Sequence, residues 1–207
     1  MLIYVDIGQN WIGEMELAEI LIDEAVNCGT DLVKFQLYDH KKLYGDLPDY
    51  SLSQKQATDL FNYGKDIGIE VFFSVFDVER VKWCEEMGVK RYKIACTMRD
   101  MEVIDAISMT RKPVIISSQV PTTWDTLYCV PEYPATNVVL PSFARFTGYS
   151  DHTIGLDKCK EAIDKGARII EKHFCYDHST GIDAPWSMTP SELRELSEYA
   201  KKRQLVV

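Results

Sequence analysis

Short apolar runs rich in β-branched residues recur along the chain at 2–8, 32–36, 70–75, 91–96, 113–118, 126–130, 146–151 and 167–174. They are apolar on both faces, as strands buried on both sides of a parallel sheet are, and do not alternate as half-exposed strands do. Amphipathic segments with helical spacing lie between them at 14–27, 53–67, 78–87, 102–110 and 156–165. A final helix is predicted from Thr189, which can act as N-cap with Pro190 in the first helical position and Glu192 three residues on. Glycine follows several of these helices, in CGTD, IGIE and MGVK, where a left-handed cap is expected.

Eight strands alternating with helices predict an α/β fold, a compact TIM (β/α)8 barrel, with residues 1–207 forming a single domain. The rival is a doubly wound open sheet, but no glycine-rich phosphate loop follows the first strand. The pattern is uneven on one side. Residues 119–125 are too few for a crossover helix, and 131–145 carry prolines near both ends, so helices after strands 5 and 6 are expected to be shortened or missing. Val138, Val139, Leu140, Phe143 and Phe146 would then be exposed, and such a patch predicts a homo-oligomer.

Composition narrows the classes. A chain of 207 residues with 46% apolar content can bury a sizeable core. No run is long and apolar enough to span a membrane, and the opening MLIYVDIGQN reads as a strand with an acid, not a signal peptide. The net charge of −9, with no basic cluster beyond 201–203, argues against a nucleic-acid partner. Six cysteines without a CxxC pair read as reduced thiols, mostly core residues, in a cytoplasmic protein.

In a barrel the chemistry gathers at the C-terminal strand ends, and side chains alternate in and out with period two. Asp6 and Gly8 share a face, as do Lys34 with Gln36, Gly148 with Ser150 and His152, and Glu171 with His173. Lys93 lies inside the fourth run, where a charge is costly unless it is satisfied. Two histidines at neighbouring strand ends, near spare carboxylates, suit a divalent metal with open positions; the plainer reading is two hydrogen-bonded core histidines. Two histidines without cysteine partners do not make a structural zinc site. His40 and His178 read as solvated loop residues. Lys34 and Lys93, with Ser74, Ser117 and Ser150, could surround a phosphate or carboxylate; each serine alone could equally cap backbone.

DIGQNWIGEMELAEILIDEAVNCGTDLVKFQ, VFFSVFD, YKIA, KPVIISS, EYP, GYSDHTIG and GARIIEKHF together resemble, in order, the barrel domain of the sialic acid synthase family. The resemblance runs from about residue 3 to residue 188, and GYSDHT with EKHF at this spacing is its most specific part. It implies condensation of phosphoenolpyruvate with an N-acylated sugar to a nonulosonic acid. It implies that His152 and His173 hold the metal, typically Mn2+, and that Lys34, Ser74, Lys93, Ser117 and Ser150 bind phosphoenolpyruvate. Gln36, Tyr133 and Asp183 would contact the sugar, and Asp6 stands where the family has a glutamate. The metal would polarise the sugar aldehyde, carbon 3 of phosphoenolpyruvate would attack it, and water would add to the resulting cation as phosphate leaves with C–O cleavage.

Several positions depart from the family pattern. In KIACTMRD, Cys96 and Met98 occupy the places of the serine and glutamate of a Ser-Gly-Glu motif, and methionine can take no proton. Asp6, Lys93 and Glu171 are therefore the candidate catalytic groups. Pro131 replaces a polar phosphate-binding residue, Ala184 replaces a histidine, and QNWIG in place of QNHNG is expected to put Trp11 and Ile12 at the mouth. The family's C-terminal antifreeze-like domain has no counterpart in these residues. Three readings follow: a synthase acting on phosphoenolpyruvate and a sugar aldehyde, a binding homologue that has lost turnover, or a divergent aldolase or lyase on the same barrel.

Overall fold

The computed structural model describes residues 1–204. Eight strands, β1 (Leu2–Asp6), β2 (Leu32–Leu37), β3 (Glu70–Val75), β4 (Tyr92–Ile94), β5 (Val114–Ser118), β6 (Asp125–Cys129), β7 (Gly148–Asp151) and β8 (Ile169–His173), close into one parallel barrel in sequence order. The ring is sealed where β1 pairs with β8, which sets Asp6 beside His173.

The outer layer follows the predicted helices: α1 (Met15–Asn27), then after a short α2 (His40–Tyr44) come α3 (Gln54–Ile67), α4 (Val78–Met87), α5 (Met101–Met109), α6 (Asp157–Asp164) and α7 (Pro190–Gln204). Their boundaries have local causes. Ser53 and Gln56 form a reciprocal capping box at the start of α3, and Asp77 accepts from the Arg80 amide at the start of α4. Both helices stop at a left-handed glycine, Gly68 and Gly88. No helix among the described residues is long and apolar enough to cross a membrane.

No helix follows β5 or β6, as the short and proline-bounded connections predict. The expected exposed patch on that side is a different matter. Val138, Leu140, Phe143 and Phe146 are buried, and only Val139 projects outward at 80% exposure. Residues 131–147 lie against the strands and take the place of a helix, so the apolar positions are satisfied within the chain. The observation that pointed to a second subunit is thereby removed.

Two apolar layers result. Ile3, Val5, Val33, Phe35, Phe73, Tyr92 and Ile170 face outward under the helices. Inside, Tyr4, Leu32, Phe72, Ile115, Leu127 and Ile169 fill the lower barrel, with Tyr4 and Phe72 edge to face at 5.2 Å between ring centroids. Trp11 belongs to the outer core at 2% exposure, so QNWIG does not put it at the mouth. A large apolar ring gains more from burial than from lining a wet cavity. His40 is likewise buried, its Nε2 2.7 Å from the Leu47 carbonyl oxygen, contrary to a solvated loop reading.

Candidate active site

Above the apolar floor the inward positions turn polar within one layer, because strand alternation carries Tyr4 to Asp6, Leu32 to Lys34, Phe72 to Ser74, Ile115 to Ser117 and Ile169 to Glu171. These side chains open into a cavity of about 410 Å³ at the C-terminal mouth. All twelve residues singled out from the sequence line it: Asp6, Lys34, Gln36, Ser74, Lys93, Ser117, Tyr133, Ser150, His152, Glu171, His173 and Asp183.

Glu171 organises the floor. Its two oxygens lie 3.4 Å from Lys34 Nζ and 3.4 Å from Lys93 Nζ, so one carboxylate serves both ammonium groups. Burial alone would raise this carboxyl. Lys93, Lys34 and a hydrogen bond from Ser150 outweigh it and hold the group down to about 2, so it is a fixed anion at neutral pH. Lys93 Nζ also donates to Ser117 Oγ at 2.7 Å and to the Ile94 carbonyl oxygen at 3.1 Å. Lys34 Nζ lies 2.5 Å from Asp6 Oδ2, which also accepts from Gln36 Nε2 at 3.1 Å. Both lysines are almost fully buried, and each is satisfied.

The two histidines face each other across the rim, ring centroids 5.6 Å apart. His152 Nδ1 lies 3.1 Å from the Val130 carbonyl oxygen, an arrangement that makes Nδ1–H the donor and leaves the Nε2 lone pair unused. Burial, with His173 beside it, lowers this imidazole to about 4, so it is neutral at pH 7. His173 Nδ1 sits 3.4 Å from Asp183 Oδ2 and 3.8 Å from Asp6 Oδ2 without a hydrogen bond, and Asp6 Oδ1 is also buried without a partner. A neutral imidazole oriented by a backbone carbonyl, with a second imidazole and unpartnered carboxylate oxygen beside it, is the donor chemistry of a divalent-cation site. Among the described residues no three such donors already converge, so the cation would have to draw the last ligands in. Charge points the same way. Two ammonium groups face three carboxylates, Asp6, Glu171 and Asp183, and an anionic ligand entering alone would meet no excess of positive charge.

Gly8 shows how tightly the rim is assembled. At φ +56°, a Cβ there would stand 3.1 Å from both Asp183 Oδ2 and Gln36 Nε2 and 3.2 Å from His173 Nδ1. Asn10 ties this turn to the far end of the chain. Its Nδ2 donates to the Phe174 carbonyl oxygen and to Ser187 Oγ, both at 2.9 Å, and its Oδ1 accepts from the Asp183 amide at 3.0 Å.

Met98, which stands in the place of a glutamate, is buried in the outer core and does not reach the cavity; Ala95, Cys96 and Thr97 line that edge. Lining residues that the sequence did not flag include Gln9, Phe76, Cys129 and Trp186. Cys129 was legible, two positions beyond the inward Leu127 on the same strand. Trp186 sits in a 3-10 turn (Ala184–Trp186) with no periodicity to announce it. Tyr133 spans the rim, its ring 4.2 Å from that of His152 and 6.0 Å from that of Trp186.

The NeuB family profile matches residues 46–206. This chain belongs to the NeuB family. An uncharacterised protein of Methanocaldococcus jannaschii is 28% identical to this NeuB-family chain over 224 residues, covering 91% of the chain and 66% of that relative. The N,N'-diacetyllegionaminic acid synthase of Campylobacter jejuni is 27% identical over 254 residues, covering 98% of the chain and 76% of the relative. The chain thus spans about two thirds to three quarters of the length of these relatives. A crystal structure of N-acetylneuraminic acid (sialic acid) synthetase from Leptospira borgpetersenii, in complex with citrate, superposes with a TM-score of 0.80 at 25% identity, covering 99% of this chain and 84% of that one.

Proposed function

We propose that this chain catalyses the divalent-metal-dependent condensation of phosphoenolpyruvate with the aldehyde of an N-acylated sugar, giving a nonulosonic (sialic) acid-type product and phosphate. The observation that carries the reading is the gathering of Lys34, Lys93, Ser74, Ser117 and Ser150 in the same cavity as His152 and His173. Membership of the NeuB family, with a legionaminic acid synthase among its relatives, supports it.

In this reading the two ammonium groups and the serine hydroxyls hold the phosphate and carboxylate of phosphoenolpyruvate by charge-assisted hydrogen bonds. Glu171, ion-paired to both lysines, would keep them aimed at the cavity. His152 and His173 would hold the metal, most simply Mn2+, which would supply Lewis-acid polarisation of the aldehyde oxygen. Gln36, Asp183 and Tyr133 lie on the rim side and would contact the sugar. Asp6, with Lys34 clamped on its Oδ2, would accept a proton from the attacking water.

Incubation with Mn2+, phosphoenolpyruvate and a panel of N-acylated aldoses should release inorganic phosphate only when a competent aldose is present. No release with any member rules the reading out. One observation favours a second reading, a phosphoenolpyruvate-binding homologue without turnover: Met98 turns into the core, so no acid stands at that edge. Calorimetric binding of phosphoenolpyruvate with Mn2+, in the absence of any product, selects it.

A further inference from the structure

Two thiols reach the cavity, Cys96 and Cys129, and the proposed reaction uses neither. Cys129 ends β6 with its side chain inward and fully buried; Cys96 lies just beyond β4, at 7% exposure. Cys96 Sγ approaches the Cys129 carbonyl oxygen at 3.9 Å, and Cys129 Sγ lies 3.9 Å from His152 Nδ1. They come from strands separated by β5, so only closure of the barrel brings them together. The other four cysteines are buried away from the cavity.

The electrostatics differ between the two groups. Cys129 beside it, the Lys93 ammonium and Arg99 lower the Cys96 thiol against burial and Glu171, while Cys96 and burial push the Cys129 thiol far up. Burial pushes Cys28, Cys84 and Cys159 up, and Cys175 up to about 12. The thiolate is the nucleophile in sulfur chemistry, and a second thiol beside it can resolve the first oxidation product.

We propose that Cys96 and Cys129 form an oxidisable dithiol site within the cavity, whose co-substrates are peroxides. The Cys96 thiolate attacks one peroxide oxygen, the O–O bond breaks, and the departing oxygen takes a proton and leaves as water or an alcohol. Cys96 is then a sulfenic acid. The Cys129 sulfur attacks the Cys96 sulfur, the S–O bond breaks, and the hydroxide leaves as water with the Cys129 proton. The peroxide gains two electrons and the thiol pair loses them, with the sulfurs closing to about 2 Å. The resulting bridge crosses the mouth next to Lys93 and lies outside the phosphoenolpyruvate reading, so it stands or falls independently of it.

The test exposes the reduced, folded chain to hydrogen peroxide, blocks residual thiols by alkylation and maps the peptides by mass. The expected product is a peptide pair linking Cys96 to Cys129, lighter by two hydrogens and restored by dithiothreitol. Cys129→Ser should leave Cys96 as a sulfenic acid that dimedone traps, and Cys96→Ser should abolish the link. Before oxidation, Cys96 should alkylate about tenfold faster than Cys28, Cys84, Cys159 and Cys175 at neutral pH. Absence of the link, with Cys96 no more reactive than Cys84, overturns the proposal, as does a link joining any other pair.

Discussion

His152 carries a charge penalty that can be read by titration. Its native imidazole is held down to about 4, while an unfolded histidine titrates near about 6.5. Below that value the unfolded chain takes up a proton that the native chain refuses. The stabilising contribution is therefore full above about pH 6.5 and is lost as pH falls toward 4, on the order of 3 kcal/mol in all. Urea unfolding from pH 7 to pH 4.5 should show this slope, and His152→Ala should flatten it. The same substitution, or His173→Ala, should remove most Mn2+ binding measured by electron paramagnetic resonance while leaving the far-ultraviolet dichroism unchanged. Retention of parental binding in both variants would mean that neither ring is a ligand. A second pair lies outside the barrel. Lys172 Nζ is 2.7 Å from Asp151 Oδ2, both side chains fully buried, and burial of the carboxyl is outweighed by that ammonium, which holds Asp151 low. Lys172→Met leaves an uncompensated buried carboxylate and should cost about 3–5 kcal/mol at pH 7 in chemical denaturation. The sequence displays Asp151 and Lys172 beside the two histidines, yet alternation turns them away from the cavity and toward each other.

The strands were legible because each is apolar on both faces, and the helices because their caps are written in the chain, as at Ser53, Asp77 and Gly88. The fourth strand is the shortest, Tyr92–Ile94, since the chain turns across the mouth to deliver Cys96 and Thr97 to the cavity. Its expected extension to residue 96 fails for that reason. β7 depends on one residue without a side chain. A Cβ on Gly148 would overlap the Ile169 carbonyl, with Ile169 Cβ itself 2.8 Å away. Gly148→Ala should therefore part β7 from β8 and destabilise the barrel by about 3 kcal/mol or more, through overpacking and lost ladder bonds. A melting temperature unchanged from the parent would show that the two strands have room to spare. The segment after β6 buries Val138, Leu140, Phe143 and Phe146 where the sequence suggests an exposed patch, because a proline-rich run without helical period gives no sign of which way its apolar residues turn.

Across the whole molecule, Asn10 joins the first turn to the last loop through partners at Phe174, Asp183 and Ser187. Asn10→Ala should cost about 1–3 kcal/mol and should speed amide exchange across 181–188 more than elsewhere, because buried backbone groups lose their partner. Equal exchange throughout would deny that the tie holds the rim. By itself the sequence determined the barrel, its thin side, and the inward polar residues at the strand ends, because period-two alternation and cap chemistry are local properties. It also marked the family through GYSDHT and EKHF. Only the tertiary structure decided which groups are partners: Glu171 between two lysines, Asp151 with Lys172 beneath a helix, Cys96 against Cys129, Trp11 in the core. Those contacts join residues far apart in the chain, and closure of the ring, set by register between β1 and β8, brings them within reach.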